Sequence, residues 1–230
     1  MTRRTNARIA GVTYLAYIAV ALPATILFDK AANGQGTAAK LAGIAQHASD
    51  VRVAAILGLL SCFAALVLAV TLYAITRDED RDLALLALSC RLGEGVLNAL
   101  HLVATLCLLW LATERGAGDS AGADALGGFL LKGRSFSETI SANFFAVGST
   151  LFSWLLLRGR IVPAPLTWLG VASSVLIAVA LPVELAGFLR GPVVLLMWFP
   201  MLVFELALAL WLLVKGAAMP RAEMPAGLVR

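Results

Sequence analysis

With 230 residues, 60% of them hydrophobic and 14% charged, and a mean hydropathy of +0.89, the chain has too little polar surface for a water-soluble domain. Its net charge of +4 does not point to nucleic acid, because the basic residues stand at the ends of apolar segments, where membrane topology puts them. Cys62, Cys90 and Cys107 all lie inside apolar stretches, which argues against a disulfide framework and for packing thiols.

Crossing about 30 Å of hydrocarbon takes roughly 20 helical residues. The first stretch that meets this runs about 9–28, behind a basic start at Arg3, Arg4 and Arg8. It exceeds the h-region of a cleaved signal peptide, so it reads as an uncleaved span. Further spans follow at about 51–76, 83–113, 137–157, 165–189 and 192–215. Each must be helical, since a span has to satisfy its own backbone polar groups. "GRIVPAPLTW" separates the fourth from the fifth, and "RGP" the fifth from the sixth. The loops near 30–50 and 114–136 are Gly/Ala/Asp-rich and too short to fold alone. "RDEDRD" at 77–82 reads as a solvated turn of mixed charge.

The expected architecture is all-α: one integral membrane bundle of six transmembrane helices over residues 1–230. Arg3, Arg4, Arg8, Arg77, Arg81, Arg158, Arg160, Lys215, Arg221 and Arg230 fall on one side. Lys30, Lys40, Arg52, Arg115, Lys132, Arg134 and Arg190 fall on the other. Ten against seven predicts that both termini are cytoplasmic. Trp110, Trp154, Trp168 and Trp211 sit near span ends, as an interfacial belt requires. The Arg, Ala and Leu bias suggests a GC-rich bacterium, hence a bacterial cytoplasmic (inner) membrane.

The third span breaks the apolar pattern with "CRLGEGVLNALH", residues 90–101. At 100° per residue Arg91, Glu94, Asn98, His101 and Thr105 share one face. A charge at mid-helix costs about 2.5–3.5 kcal/mol on insertion scales, so this face must meet protein or water. Glu205 in the last span matches Arg91 in depth, about 15 Å against about 12 Å from the cytoplasmic end. An Arg91–Glu205 pair is therefore expected, with Glu94 beside it. His101 falls level with Glu138 and Glu184, which predicts a second, outer cluster.

Such residues serve as a pathway or pocket, or else fix helix register as buried ion pairs. Two histidines in the whole chain do not make a zinc set, so no metal and no cofactor is assigned. No G-x-S-x-G, H-E-x-x-H or Walker pattern occurs, and "GEG" has no strand before it.

"ELALALWLLVKG" (205–216), "RIAGVTYL" (8–15), "LYAITRDEDRDLALLALSCRL" (72–92) and "NFFAVGSTLFSWLLLRGRIVPAPLTWLGV" (143–171) carry a resemblance. In these stretches and their order the chain resembles an uncharacterised bacterial family, domain of unknown function 4386. The resemblance implies a six-pass membrane protein and brings no activity, substrate or cofactor. Arg91, Glu205, Trp211, Lys215 and Gly216 fall on positions that look like family hallmarks, as do Arg158, Pro165, Leu169 and Gly170. The "LGEGVLNALH" stretch is less like the family, so Glu94 and His101 read as features of this chain.

The residues favour a small transporter or a membrane binding protein for a small or lipid-like ligand, with Arg91, Glu94, Asn98, His101 and Glu205 as its polar groups. The alternative is a structural subunit that binds another membrane protein. An intramembrane enzyme built on His101 with Glu138 or Glu184 stands behind both.

Overall fold

A computed structural model of the chain describes residues 2–114, 120–189 and 191–217. Among these residues there are helices and no strand: α1 (Arg3–Ala31), α2 (Thr37–Gln46), α3 (Ala48–Thr76), α4 (Arg81–Thr113), α5 (Ser120–Arg158), α6 (Ala164–Leu185), α7 (Pro192–Leu196) and α8 (Phe199–Val214). Six helical stretches are long and apolar enough to cross a membrane: α1, α3, α4, α5, α6 and the stretch Val193–Val214 across α7 and α8. The chain is an all-α, multi-pass membrane protein. Arg115, Arg190, Arg221 and Arg230, which enter the orientation count, lie outside the described residues.

Three boundaries differ from those expected. The fourth span begins at Ser120 rather than near 137, so most of the supposed loop is helix. Its Gly127 and Gly128 cost roughly 1 kcal/mol each in helix propensity. The bare Gly127 Cα lets α2 approach, for a Cβ there would stand 2.7 Å from Leu41 Cδ1 and 3.1 Å from Thr37 Cγ2. Packing thus offsets propensity. The fifth span stops at Leu185, four residues early, where Gly187 adopts φ 84°. Phe188 N–H donates to the Val183 carbonyl (3.1 Å) and Gly187 N–H to that of Glu184 (2.8 Å), which closes a Schellman cap. The sixth span is broken at Met197–Trp198, because Pro200 has no N–H and its ring opposes the carbonyl four residues back, at Leu196.

The helices sort into two compact units. The first holds the described residues of Met1–Leu15, Ala65–Glu94 and Ala142–Arg230. In it α6 packs on α8, where Gly170 leaves room for the Phe204 ring and Ser173 Oγ donates to Met201 Sδ at 3.4 Å. Close approach is general here. A Cβ on Gly11 of α1 would stand 2.7 Å from the Ala209 carbonyl oxygen and 2.8 Å from Leu213 N of α8. Small residues let backbones meet in this way wherever lipid supplies no hydrophobic drive. At one end, Arg3 reaches Glu79 (3.5 Å) and Arg158 reaches Asp80 (3.2 Å). The "RDEDRD" turn therefore ties the start of α1 to the end of α5.

The second unit comprises Ala16–Ala64 and Gly95–Ser141. Its apolar core joins Phe28 and Ala31 of α1, Leu41 and Ile44 of α2, Val51 and Ala54 of α3, and Leu108, Leu109 and Ala112 of α4. On the outer surface of α4, Val96, Leu100, Val103 and Trp110 are 56–63% exposed. Such a face suits acyl chains and not water.

Gly11→Ala should push α1 from α8, since neither backbone atom can yield, at a cost of about 1–3 kcal/mol. Gly133→Ala, with nothing within 4 Å of the added carbon, should hold or raise stability. Unfolding midpoints of the detergent-solubilised variants give the comparison. Equal midpoints would refute the contact.

Candidate functional site

The polar face of α4 divides between the two units, with Arg91 and Glu94 in the first and Asn98, His101 and Thr105 in the second. Each half is described within its own unit.

In the first unit Arg91 and Glu94 are each 1% exposed. Their spacing of three puts both on one face of α4, and Arg91 Nη1 lies 2.8 Å from Glu94 Oε2. The Arg91 guanidinium sits over the Phe145 ring of α5, with Cζ 4.8 Å from its centroid. The ring attracts the cation through its quadrupole while excluding water. Phe145 in turn meets Trp198, centroids 5.9 Å apart. Gly148, one helical turn further along α5, completes the wall. A Cβ there would stand 3.1 Å from Arg91 Cγ and 3.2 Å from Cδ.

Glu205 of α8 joins this cluster, 6% exposed and within the electrostatic field of Arg91 and Glu94. The expected cluster of Arg91 and Glu205 with Glu94 beside it draws its three members into one electrostatic neighbourhood, and the ion pair seen within it is that of Arg91 with Glu94, on its own helix. Depth matching put Glu205 at the right level, but an acid one turn away reaches the guanidinium without any constraint on a second helix. Glu205 Oε1 is buried and meets no hydrogen-bond donor among the described residues. Tyr14 of α1, 4% exposed, faces the same three charged groups. Sequence reasoning missed Tyr14 and Phe145, because an aromatic residue in an apolar span carries no mark of what it packs against.

In the second unit Ser141 Oγ donates to Asn98 Oδ1 (2.8 Å) and Ser137 Oγ to the Leu97 carbonyl (3.0 Å), joining α5 to α4. The charged centre is Arg134, which lies within α5 and not in a loop as its Gly/Ala/Asp-rich surroundings predict. Its Nε donates to Thr105 Oγ1 (3.1 Å), its Cζ lies 3.5 Å from the Phe28 ring centroid, and Nη1 is 4.0 Å from Glu138. Arg134 is also the charge that His101 faces. Of the residues expected to group with His101, Glu138 has a 54% exposed side chain 4.0 Å from Arg134, and Glu184 belongs to the first unit, described by itself. A cation beside the imidazole opposes the approach of a metal ion. Among the described residues no three His, Cys, Asp or Glu side chains gather as a metal-binding set.

Two open grooves belong to the first unit. One, of about 540 Å³, is lined by Glu184, Leu189, Gly191, Val194, Leu195 and Trp198. The other, of about 440 Å³, lies at the α5–α6 turn against Trp211. Trp198 thus has the groove on one hand and Phe145, beneath Arg91, on the other.

A family model described as a domain of unknown function (DUF4386) matches residues 9–216, and the chain belongs to that family. No curated protein and no solved structure matches it.

Removing one partner of the buried pair strands the other. Arg91→Met should cost about 3–5 kcal/mol, and the double change Arg91→Met with Glu94→Gln should restore much of that loss. Folding yield and denaturant unfolding of the three proteins measure it. Losses that simply add would show that the two side chains are not coupled.

Proposed function

Membership in a family whose description assigns no activity leaves the side chains to speak, and we propose that this chain is a small transporter or membrane binding protein for a small or lipid-like ligand. Arg91, Glu94 and Glu205 form its polar site, with Tyr14 and Phe145 as walls. Both termini face the cytoplasm of a bacterial cell, on the excess of Lys and Arg in the short loops. Asn98 and His101 serve the second unit and take no direct part.

One observation carries the reading. A static buried network is expected to be fully satisfied. Glu205 Oε1 is buried with no donor among the described residues. That favours a group whose partner comes and goes. The site is closed as described, with Arg91 and Glu94 almost wholly covered, so the reading requires a second conformation that admits water. Trp198, with the Glu184 groove on one hand and Phe145 on the other, is the natural gate.

A static reading has support of its own in the tight wall of Gly148 against Arg91. There the pair would only hold α4 and α5 together, in a chain that serves as a structural subunit. Cys90 separates the two, because it lies beside Arg91 and its Cβ is 3.2 Å from where a Gly148 Cβ would stand. In a variant with Cys62→Ala and Cys107→Ala, a small water-borne maleimide in folded vesicles should alkylate Cys90 if water reaches this face. A thiol that reacts only after denaturation would leave the static reading.

A further inference from the structure

The first unit encloses one guanidinium and two carboxyl groups in a core where none of the three is more than 6% exposed. Arg91 and Glu94 cancel at 2.8 Å. Glu205 is then a carboxyl group without a counter-charge of its own, and an uncompensated charge in such a place is strongly disfavoured. Something positive must accompany it.

The surroundings narrow the choice. From α1 the cluster receives Tyr14, and from α4 Arg91 and Glu94. Elsewhere in this unit the ionisable side chain of α5 is Arg158, held by Asp80, and that of α6 is Glu184, at the groove. The described part of α3 offers Tyr73, and α7 offers none. Among the described residues Arg91 is the cation in the electrostatic surroundings of Glu205, while Arg3, Arg4 and Arg8 stand toward the start of α1. A metal cation would ask for several oxygen ligands, and no third His, Cys, Asp or Glu stands with the two carboxyl groups among the described residues. A proton needs one oxygen and no added volume.

We propose that Glu205 is a reversible proton-binding site, taking a proton on its unpartnered carboxyl oxygen while the Arg91–Glu94 pair stays ionised. The proposal rests on the cluster being a ligand site, and it makes the proton the ion handled there. Only one O–H bond forms or breaks. The proton comes from water when the site opens on one side and returns to water when it opens on the other. The two acids then have separate tasks: Glu94 fixes Arg91, and Glu205 exchanges.

Infrared difference spectra of the whole protein in phospholipid vesicles test this. Stepping the medium between about pH 8 and about pH 5 should reveal a carboxylic-acid carbonyl band that grows as protons are added. The band should vanish in Glu205→Gln and persist in Glu94→Gln. Where a variant fails to fold, a hydrophobic carbodiimide on the unaltered protein replaces it, since it adds to protonated carboxyl groups and leaves an N-acylurea. Peptide mapping should find the adduct on Glu205, with a yield that falls about tenfold per pH unit once most of the group is ionised. No band and no adduct at any pH would overturn the proposal. So would protection by sodium ions at constant pH, which would make the ion a metal. Alkylation of Cys90 beside an unresponsive Glu205 would keep the ligand site and remove the proton. A titrating Glu205 beside an inert Cys90 would keep the proton and remove the ligand path.

Discussion

The polar core of the first unit gathers around a guanidinium that is 1% exposed. Arg91 is always charged, so it cannot shed its proton to enter a dry core. A neutralising group must travel with it. Glu94, three residues on, supplies that group within the same helix, and the pair closes as soon as the helical turn exists. An acid on another helix would have left the charge exposed until the bundle assembled. The intrahelical pair gives α4 a locally neutral dipole to insert, which lowers the cost of a mid-span charge. Phe145 covers the outer face of the guanidinium, and Gly148 lets α5 come close enough for that contact.

Lipid as solvent explains why the same helix is apolar outside and polar inside. Val96, Leu100 and Val103 face out, while Thr105 is 3% exposed on the opposite side. With no hydrophobic force between helices, contact depends on close packing and on polar links. Gly11, Gly148 and Gly170 provide the first. The Ser141–Asn98 and Arg134–Thr105 bonds provide the second.

Six spans were legible because hydrocarbon thickness imposes a length that soluble helices need not meet. The polar face of α4 was legible because a charge in such a span is rare enough to require an explanation. Depth along two helices set Glu205 level with Arg91 but carries no side-chain rotamer, so the short contact of Arg91 with Glu94 on its own helix could not be read from it. The start of α5 was hidden by Gly127 and Gly128, read as loop residues, when their bareness is what admits α2. Arg134 was hidden with it, since a basic residue assigned to a loop attracts no attention. Tyr14 had no local signal at all.

The two polar groups differ in how completely they are balanced, and that difference bears on where function resides. In the second unit Arg134 has a hydroxyl, an aromatic ring and a nearby carboxylate, and Asn98 accepts from Ser141. His101, half-buried, has the Arg134 backbone as a hydrogen-bond partner, although its Nδ1 is buried without one. Such a network holds α4 to α5 and asks for nothing more. In the first unit the arithmetic is odd: two acids, one base and almost no exposure. Packing alone would be served as well by the Arg91–Glu94 pair without a second acid. An ionisable group set where ionisation is costly, with a buried oxygen that meets no donor among the described residues, is where the proposed exchange has its physical basis.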